Sequence, residues 1–110
     1  MQDHGIPLRQ KVNEGLYQLS RELNIGLVAT NDAHYLTKAD ARIQDVLMSI
    51  QMGKTVDGPT RMKCETQEFY IKDADKMAAL FPEHPEALAN TVKIAERCQV
   101  EFEFGKYHLP

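Results

Sequence analysis

A short and almost continuously apolar segment, residues 25–30, is the feature that most narrows the folds open to this chain. It follows a helical pattern over residues 8–23, in which leucine and valine recur every three or four positions. An apolar run of this length after a helix is typical of a parallel strand buried on both faces, with the helix as its crossover connection. Asn24 and Gly26 supply the helix stop and the turn between the two. The sequence therefore predicts one α/β unit.

This α/β unit lacks the neighbours that such a strand requires. A buried parallel strand pairs on both of its edges, and no second run of the same kind occurs in the sequence. The other predicted strands, near 68–71 and 100–104, are short, and the second alternates phenylalanine with glutamate as a half-buried strand does. We therefore expect the 110 residues to be a piece of a larger protein.

Capping residues mark further helices, which the apolar periodicity places near 38–52, 74–81 and 86–98. Thr37 and Asp40 form a capping box before the first of them. Asp73 is an N-cap for the second, and Pro85 suits the first turn of the third. Residues 55–66 carry no periodic pattern, and we interpret them as a connection between two structural units.

Composition restricts the functions that the chain can perform alone. Its apolar fraction of 43% and charged fraction of 26% are typical of a soluble globular protein. The net charge of −3 argues against tight binding of nucleic acid by the chain itself. No apolar run approaches the roughly 20 residues that a membrane span needs. Cys64 and Cys98 lack metal-binding or redox spacing, so we expect free thiols in the reducing cytoplasm.

The polar tetrad Asn31-Asp32-Ala33-His34 follows the predicted buried strand directly. Ligands gather beyond the carboxyl ends of strands in α/β sheets and barrels. Residues two apart in an extended backbone point the same way, so Asp32 and His34 could converge on one cation, and oxygen plus imidazole suits zinc, manganese or iron. From spacing alone, a role in a turn or a cap remains the alternative, and two ligands do not complete a site.

The remaining histidines and the nearby tyrosine give weaker signals. We predict a surface position for His4, a helix-start position for His84 and no role for His108. Tyr35 is expected to pack with its hydroxyl near solvent. No phosphate-binding glycine loop and no Ser-His-Asp set is present, so no catalytic residue is assigned.

Several motifs together resemble the end of the PHP (polymerase and histidinol phosphatase) domain, in the version found in bacterial DNA polymerase III alpha subunits. The resemblance covers essentially the whole chain, and its second half is not expected in stand-alone PHP phosphatases. The motifs that carry it include Gln2-Asp3-His4-Gly5, Val28-Ala29-Thr30-Asn31-Asp32-Ala33-His34-Tyr35-Leu36, Glu68-Phe69-Tyr70-Ile71-Lys72 and Gly105-Lys106-Tyr107-His108-Leu109-Pro110.

The resemblance implies an α+β fragment: the last α/β unit of a PHP-type β/α barrel, followed by a mostly helical segment with short strands. Residues 1–54 would be the C-terminal part of the PHP domain. Residues 55–110 would be the segment that connects it towards the polymerase palm.

The same resemblance places Asp32 and His34 on the last metal-binding motif of the PHP domain, with His4, Asn31 and Tyr35 as near-site residues. The parent's PHP site would hold a divalent metal, zinc or manganese, whose other ligands lie upstream. The palm carboxylates that hold magnesium lie downstream of this chain. The fragment alone would therefore be inactive.

The parent would be a DNA-directed DNA polymerase, with a PHP phosphoesterase or 3′–5′ exonuclease activity in addition. Its partners would be DNA and other replicase subunits, reached through the parent rather than by the fragment itself. A PHP site that serves mainly as a scaffold is an alternative. Two further alternatives are a stand-alone PHP metal-dependent phosphoesterase and a small non-catalytic protein-interaction module.

Overall fold

Helices make up the regular structure of the chain. The computed structural model describes residues 1–107. Its elements in chain order are α1 (Pro7–Leu23), a 3₁₀ turn (Lys38–Asp40), α2 (Ala41–Gln51), α3 (Ala74–Leu80) and α4 (Pro85–Arg97). The four predicted helices are confirmed, and the one near 38–52 differs only in beginning with the 3₁₀ turn. None of the helices in this part of the chain is both long and apolar enough to cross a bilayer.

Local signals set the helix ends, as the sequence predicts. Pro7 occupies the first turn of α1, and Asn24 ends that helix in the left-handed conformation with φ of 54°. The Asp40 carboxylate accepts hydrogen bonds from the Thr37 backbone N–H at 2.9 Å and from its hydroxyl at 2.8 Å. Asp73 accepts from a backbone N–H in the first turn of α3 at 2.9 Å.

The strand predicted over residues 26–30 is wrong: no strand occurs between residues 1 and 107. Its backbone bonds instead to two separate partners, because Ala29 N–H donates to the Ala87 carbonyl at 3.0 Å and Thr30 N–H to that of Met1 at 2.9 Å. A strand forms only when a neighbouring strand supplies a ladder of partners. The described residues offer none, so the apolar run stays irregular.

The strands predicted over 68–71 and 100–104 are also wrong. The first contributes only Tyr70, in an isolated parallel bridge to Tyr35. In the second, Phe102 and Phe104 are both exposed, so alternation in the sequence does not correspond to a half-buried face. The α+β fold expected from the sequence is thus helical within the described part of the chain.

A small apolar core joins both halves of the chain. Its buried residues are Ala29, Phe81 and Ala87. Partly buried side chains pack against them, among them Leu27, Met77, Leu80 and Leu88. Residues on both sides of the predicted division at 54/55 contribute, and the position of that boundary remains a prediction.

The apolar faces of the helices are largely uncovered. The accessible surface is 8893 Å², against about 6,200 Å² expected for a compact protein of this mass. The radius of gyration is 18.6 Å, against about 13 Å for a compact domain of this length. The exposed side chains include those predicted to form helix faces, namely Leu8, Val12, Leu19, Leu23, Ile43, Leu47, Ile50 and Val92.

The connection over residues 55–66 is fastened to α2 by one arginine. The guanidinium of Arg61 pairs with both carboxylate oxygens of Asp45, with Nη2 and Oδ2 2.7 Å apart. Its Nε donates to the Val56 carbonyl, and the Arg61 side chain is only 4% exposed. Hydrogen bonding from Arg61 holds the pKa of Asp45 below its usual value. A segment without secondary structure is therefore anchored by charge.

Candidate functional site

Asp32 and His34 lie together, as the sequence predicts for two residues in an extended stretch. Asp32 Oδ1 and His34 Nε2 are 3.1 Å apart. Their side chains are 38% and 45% exposed, so both remain open to a ligand from solvent. The pair lies just past the apolar run, at the position where the tetrad was expected to gather ligands.

The backbone that carries this pair is fixed by a segment much later in the chain. His34 N–H donates to the Phe69 carbonyl at 2.7 Å, and Ile71 N–H donates to that of Tyr35 at 3.1 Å. The Tyr35 hydroxyl accepts from Phe69 N–H at 3.3 Å. These contacts form the parallel bridge described above. Residues 69–71 therefore fix the backbone at His34 and Tyr35.

Asn31 anchors the other end of the tetrad. Its side-chain amide donates to the Tyr70 carbonyl at 2.8 Å. Asn31 and Tyr35 therefore both hold the tetrad against the later segment, one on each side of Asp32 and His34. Neither side chain directs a contact at the Asp32 carboxylate among the hydrogen bonds of the described residues.

The surface position predicted for His4 is wrong. His4 is fully buried, and its ring stacks on Phe69 with centroids 4.5 Å apart and an angle of 18° between the planes. The Thr66 hydroxyl donates to its backbone carbonyl at 2.6 Å. Burial, followed by the charges of Arg9 and Lys72, lowers the pKa of His4, so its ring is neutral at pH 7. Partners more than 60 residues away determine this burial.

Arg9 is a site residue that the sequence reasoning did not identify. Its Nη1 contacts His4 Nδ1 at 2.7 Å and donates to the Gln2 side-chain oxygen at 2.5 Å. Its Nη2 lies 3.5 Å from Asp32 Oδ2, and its guanidinium carbon lies 5.6 Å from the Phe69 ring centre. One signal was available: Arg9 is a cation in the first turn of α1, where the helix dipole favours acidic residues.

The neighbours of His4 define its tautomer. Arg9 Nη1 faces Nδ1 at 2.7 Å, and the Asp32 backbone N–H faces Nε2 at 3.3 Å. Both neighbours are donors, whereas a neutral imidazole has a single acceptor nitrogen. We assign the acceptor to Nδ1 because the Arg9 contact is the shorter one. The hydrogen is then on Nε2, and the 3.3 Å hydrogen bond from the Asp32 amide to Nε2 belongs to the other tautomer.

A lysine pair flanks the later segment of the site. Glu68, which precedes Phe69, pairs with Lys38 and lies 3.7 Å from the ammonium of Lys72 through its second oxygen. The hydrogen bond from Lys38 is the largest cause of a lowered pKa of Glu68. Burial opposes it, and the charges of Lys38 and Lys72 lower the pKa further. Lys72 also lies 4.2 Å above the Tyr70 ring. The segment is thus held by the two ion pairs of Glu68.

The geometry of Asp32 and His34 fits two ligands of one cation. Two ligands that bind a cation at about 2.0–2.1 Å and adjacent angles lie about 2.9–3.4 Å apart, and the observed 3.1 Å falls in that interval. Within residues 1–107 no group of three or more His, Cys, Asp or Glu side chains is arranged to hold a metal. The described residues therefore bring together two side chains of the right kind, and 3.1 Å is also the distance of a direct His–Asp ion pair.

The other histidine of the described chain lies elsewhere. His84 is the N-cap residue of α4, as predicted, and its ring stacks on Tyr17 at 4.1 Å. Its Nδ1 lies 3.0 Å from a Glu86 carboxylate oxygen. His108, for which no role was predicted, lies outside the described residues.

Comparison with known proteins gives relatives over nearly the whole chain. It is 47% identical over 100 residues to a DNA polymerase III subunit alpha of Treponema pallidum, which covers 91% of this chain and 8% of the relative. It is 41% identical over 116 residues to the Thermus aquaticus subunit, covering all of this chain and 10% of the relative. By sequence, the chain is similar over nearly its whole length to one segment of DNA polymerase III alpha subunits.

A Borreliella burgdorferi member of the family is 48% identical over 98 residues, covering 89% of this chain and 8% of that protein. The chain thus spans about a tenth or less of the length of the curated relatives it matches. No protein-family model matches it. The resemblance seen in the sequence is confirmed at the level of the family.

Proposed function

We propose that the chain works as part of the alpha subunit of a bacterial replicative DNA polymerase, in which Asp32 and His34 are two of the ligands of a PHP metal site. The observation that carries the metal assignment is the 3.1 Å separation of Asp32 Oδ1 and His34 Nε2 on a backbone fixed by Phe69. The relatives support the parent, since all those named above are DNA polymerase III alpha subunits.

The uncovered apolar faces support function within a larger protein. Burying apolar side chains contributes about 25 cal/mol per Å², so helices that expose leucine and isoleucine gain from further packing. In this proposal, residues 1–54 complete a PHP-type β/α barrel, whose other strands would supply the ladder that residues 25–30 lack. Residues 55–110 lead towards the polymerase palm.

In this proposal the chain by itself carries out no catalysis. Nucleotide addition by the parent would use magnesium held by palm carboxylates in another part of the protein. Asp32 and His34 would hold zinc or manganese, which would supply Lewis-acid activation of water and charge stabilisation for phosphoester hydrolysis, including 3′–5′ exonuclease action. The parent would act on DNA together with other replicase subunits, and it would do so in the cytoplasm.

Within that site the residues of this chain have separate tasks. Asp32 and His34 provide one oxygen and one nitrogen donor. Asn31 and Tyr35 hold their backbone against residues 69–71. His4 fills the space beneath them as a neutral, buried ring. A structural site, in which the metal only adds folding free energy, would use the same residues.

A stand-alone phosphoesterase is disfavoured, because catalytic metal sites usually take three ligands from the protein and the described residues bring two together. A small interaction module is disfavoured by the extent of the match to one polymerase family. The module would also unfold cooperatively in isolation, whereas we expect the 110-residue chain to melt broadly.

Elemental analysis of the full-length alpha subunit tests the metal assignment. Asp32→Ala and His34→Ala should each lower bound zinc or manganese per chain. Asp75→Asn on α3 and His84→Ala at the start of α4 are matched controls that should keep the wild-type content, because both residues lie off the site. Equal metal in the wild type and in both site variants would contradict the proposal.

A further inference from the structure

The guanidinium of Arg9 is positioned independently of Asp32. One edge is held by His4 Nδ1 at 2.7 Å and by the Gln2 side-chain oxygen. His4 is itself immobilised by complete burial and by stacking on Phe69. The orientation of Arg9 therefore follows from residues that would not be metal ligands, and it would survive a change at Asp32.

The opposite edge of Arg9 is only loosely paired. Nη2 lies 3.5 Å from Asp32 Oδ2, whereas a good charge-assisted hydrogen bond measures about 2.7–2.9 Å. The Arg9 side chain as a whole is 29% exposed. A second ligand can therefore reach Nη2 from solvent without breaking a strong existing bond.

A cation on Asp32 and His34 changes the charge balance around Arg9. Arg9 has no lone pair to offer a metal, so it cannot join the coordination shell. With a divalent cation bound, the Asp32 charge is shared and Arg9 becomes a second positive charge next to the first. An anion between the two cations removes this repulsion.

We propose that Arg9 is the phosphate-binding residue of this site, holding a phosphate group of the substrate next to the cation on Asp32 and His34. The planar guanidinium suits phosphate oxygens because it donates from a fixed fork. In the absence of a bound cation, the same group partly neutralises Asp32. This inference rests on the proposed metal site and names a residue that contacts the substrate.

The test uses the full-length alpha subunit, with manganese and inorganic phosphate as probes. Metal content and affinity are measured first, and phosphate affinity is then measured by titration calorimetry at saturating manganese. Arg9→Gln should retain the metal or bind it more tightly, because a competing cation has been removed, and should weaken phosphate binding by about tenfold or more. Arg21→Gln, an exposed arginine in the last turn of α1, should match the wild type in both measurements.

Arg9→Lys keeps the positive charge and loses the paired donors of the planar guanidinium. It should therefore retain the metal and weaken phosphate binding less than Arg9→Gln does, by a factor of roughly three to ten. It also tests the role of Arg9 if Arg9→Gln fails to fold.

Unchanged phosphate affinity in either folded variant with metal present would overturn the role of Arg9 and leave the metal site intact. Loss of metal in folded Arg9→Lys would also overturn it, because Arg9 would then only support Asp32. A wild-type protein without metal at Asp32 and His34 would overturn the proposed function and this inference together.

Discussion

The backbone N–H of His34 donates to the carbonyl of Phe69 at 2.7 Å, across 35 positions of the sequence. The same phenylalanine stacks on buried His4 and lies edge-on to the His34 ring, with centroids 5.6 Å apart. One side chain thus touches both histidines near Asp32. The order of the tetrad depends on a residue from the later part of the chain.

Truncating this phenylalanine should loosen the tetrad. Phe69→Ala removes a buried ring, a change that costs about 3 kcal/mol or more in packed cores. We expect amide exchange at His34 and Tyr35 to accelerate by up to about 100-fold, measured by NMR on the 110-residue chain. Phe102→Ala is the matched control, because Phe102 is 76% exposed and its loss should leave these amides unchanged. Equal exchange in both variants would contradict the role given to Phe69.

The carboxyl of Glu68 should titrate below its usual pKa of about 4.3. Its hydrogen bond to Lys38 is the largest cause of that shift. Because the folded-state pKa is lowered, the pair stabilises the fold above the usual pKa, and this contribution is lost as the pH falls through the folded-state value. Carboxyl ¹³C shifts followed against pH should show the pKa of Glu68 rising in Lys38→Met. An unchanged pKa of Glu68 in Lys38→Met would mean that the Lys38–Glu68 pair does not form in solution.

Removing the charge on Asp45 should release the connection over residues 55–66. The variant Asp45→Asn leaves the largely shielded Arg61 without its carboxylate partner. Trypsin should then cut this segment several times faster, because an anchored loop must open before it enters a protease. Glu96→Gln removes the same charge from an exposed position on α4 and should leave the cleavage rate unchanged. A rate equal to wild type in Asp45→Asn would show that the ion pair does not anchor the segment.

Enlarging Ala87 should disturb the core more than its small size suggests. Ala87 is fully buried in the core with Ala29 and Phe81, and its carbonyl accepts the Ala29 N–H, so added methylenes enter a packed site. We expect Ala87→Leu to destabilise the packing of α4 by about 1–3 kcal/mol, seen as earlier thermal loss of the helical circular dichroism signal. Ala95→Leu, on an exposed part of the same helix, is the control that should not lower it.

The helices could be predicted from the sequence because their signals are local. Pro7, Asn24 and the Thr37–Asp40 pair act within one turn, and the structure shows each in the predicted place. The strands could not be predicted in the same way. Residues 25–30 have the composition of a buried strand, but the described residues give that segment no ladder partner.

In the candidate site, too, local features could be predicted from the sequence and long-range contacts could not. Asp32 and His34 are two positions apart, so an extended backbone alone brings their side chains together. The burial of His4 depends on Phe69, and the role of Arg9 depends on His4 and on Asp32. No spacing in the sequence encodes such contacts, because they arise only when residues far apart in the chain meet.

The contact between Ala29 and Ala87 has a consequence for the evolution of the family. Both residues are buried in the same small core, and a backbone hydrogen bond joins the two chain segments at that point. A larger side chain at one position is tolerable only where the other shrinks or the segments move apart. The two positions should therefore drift as a pair across bacterial lineages, with glycine appearing at one wherever serine or cysteine has replaced alanine at the other.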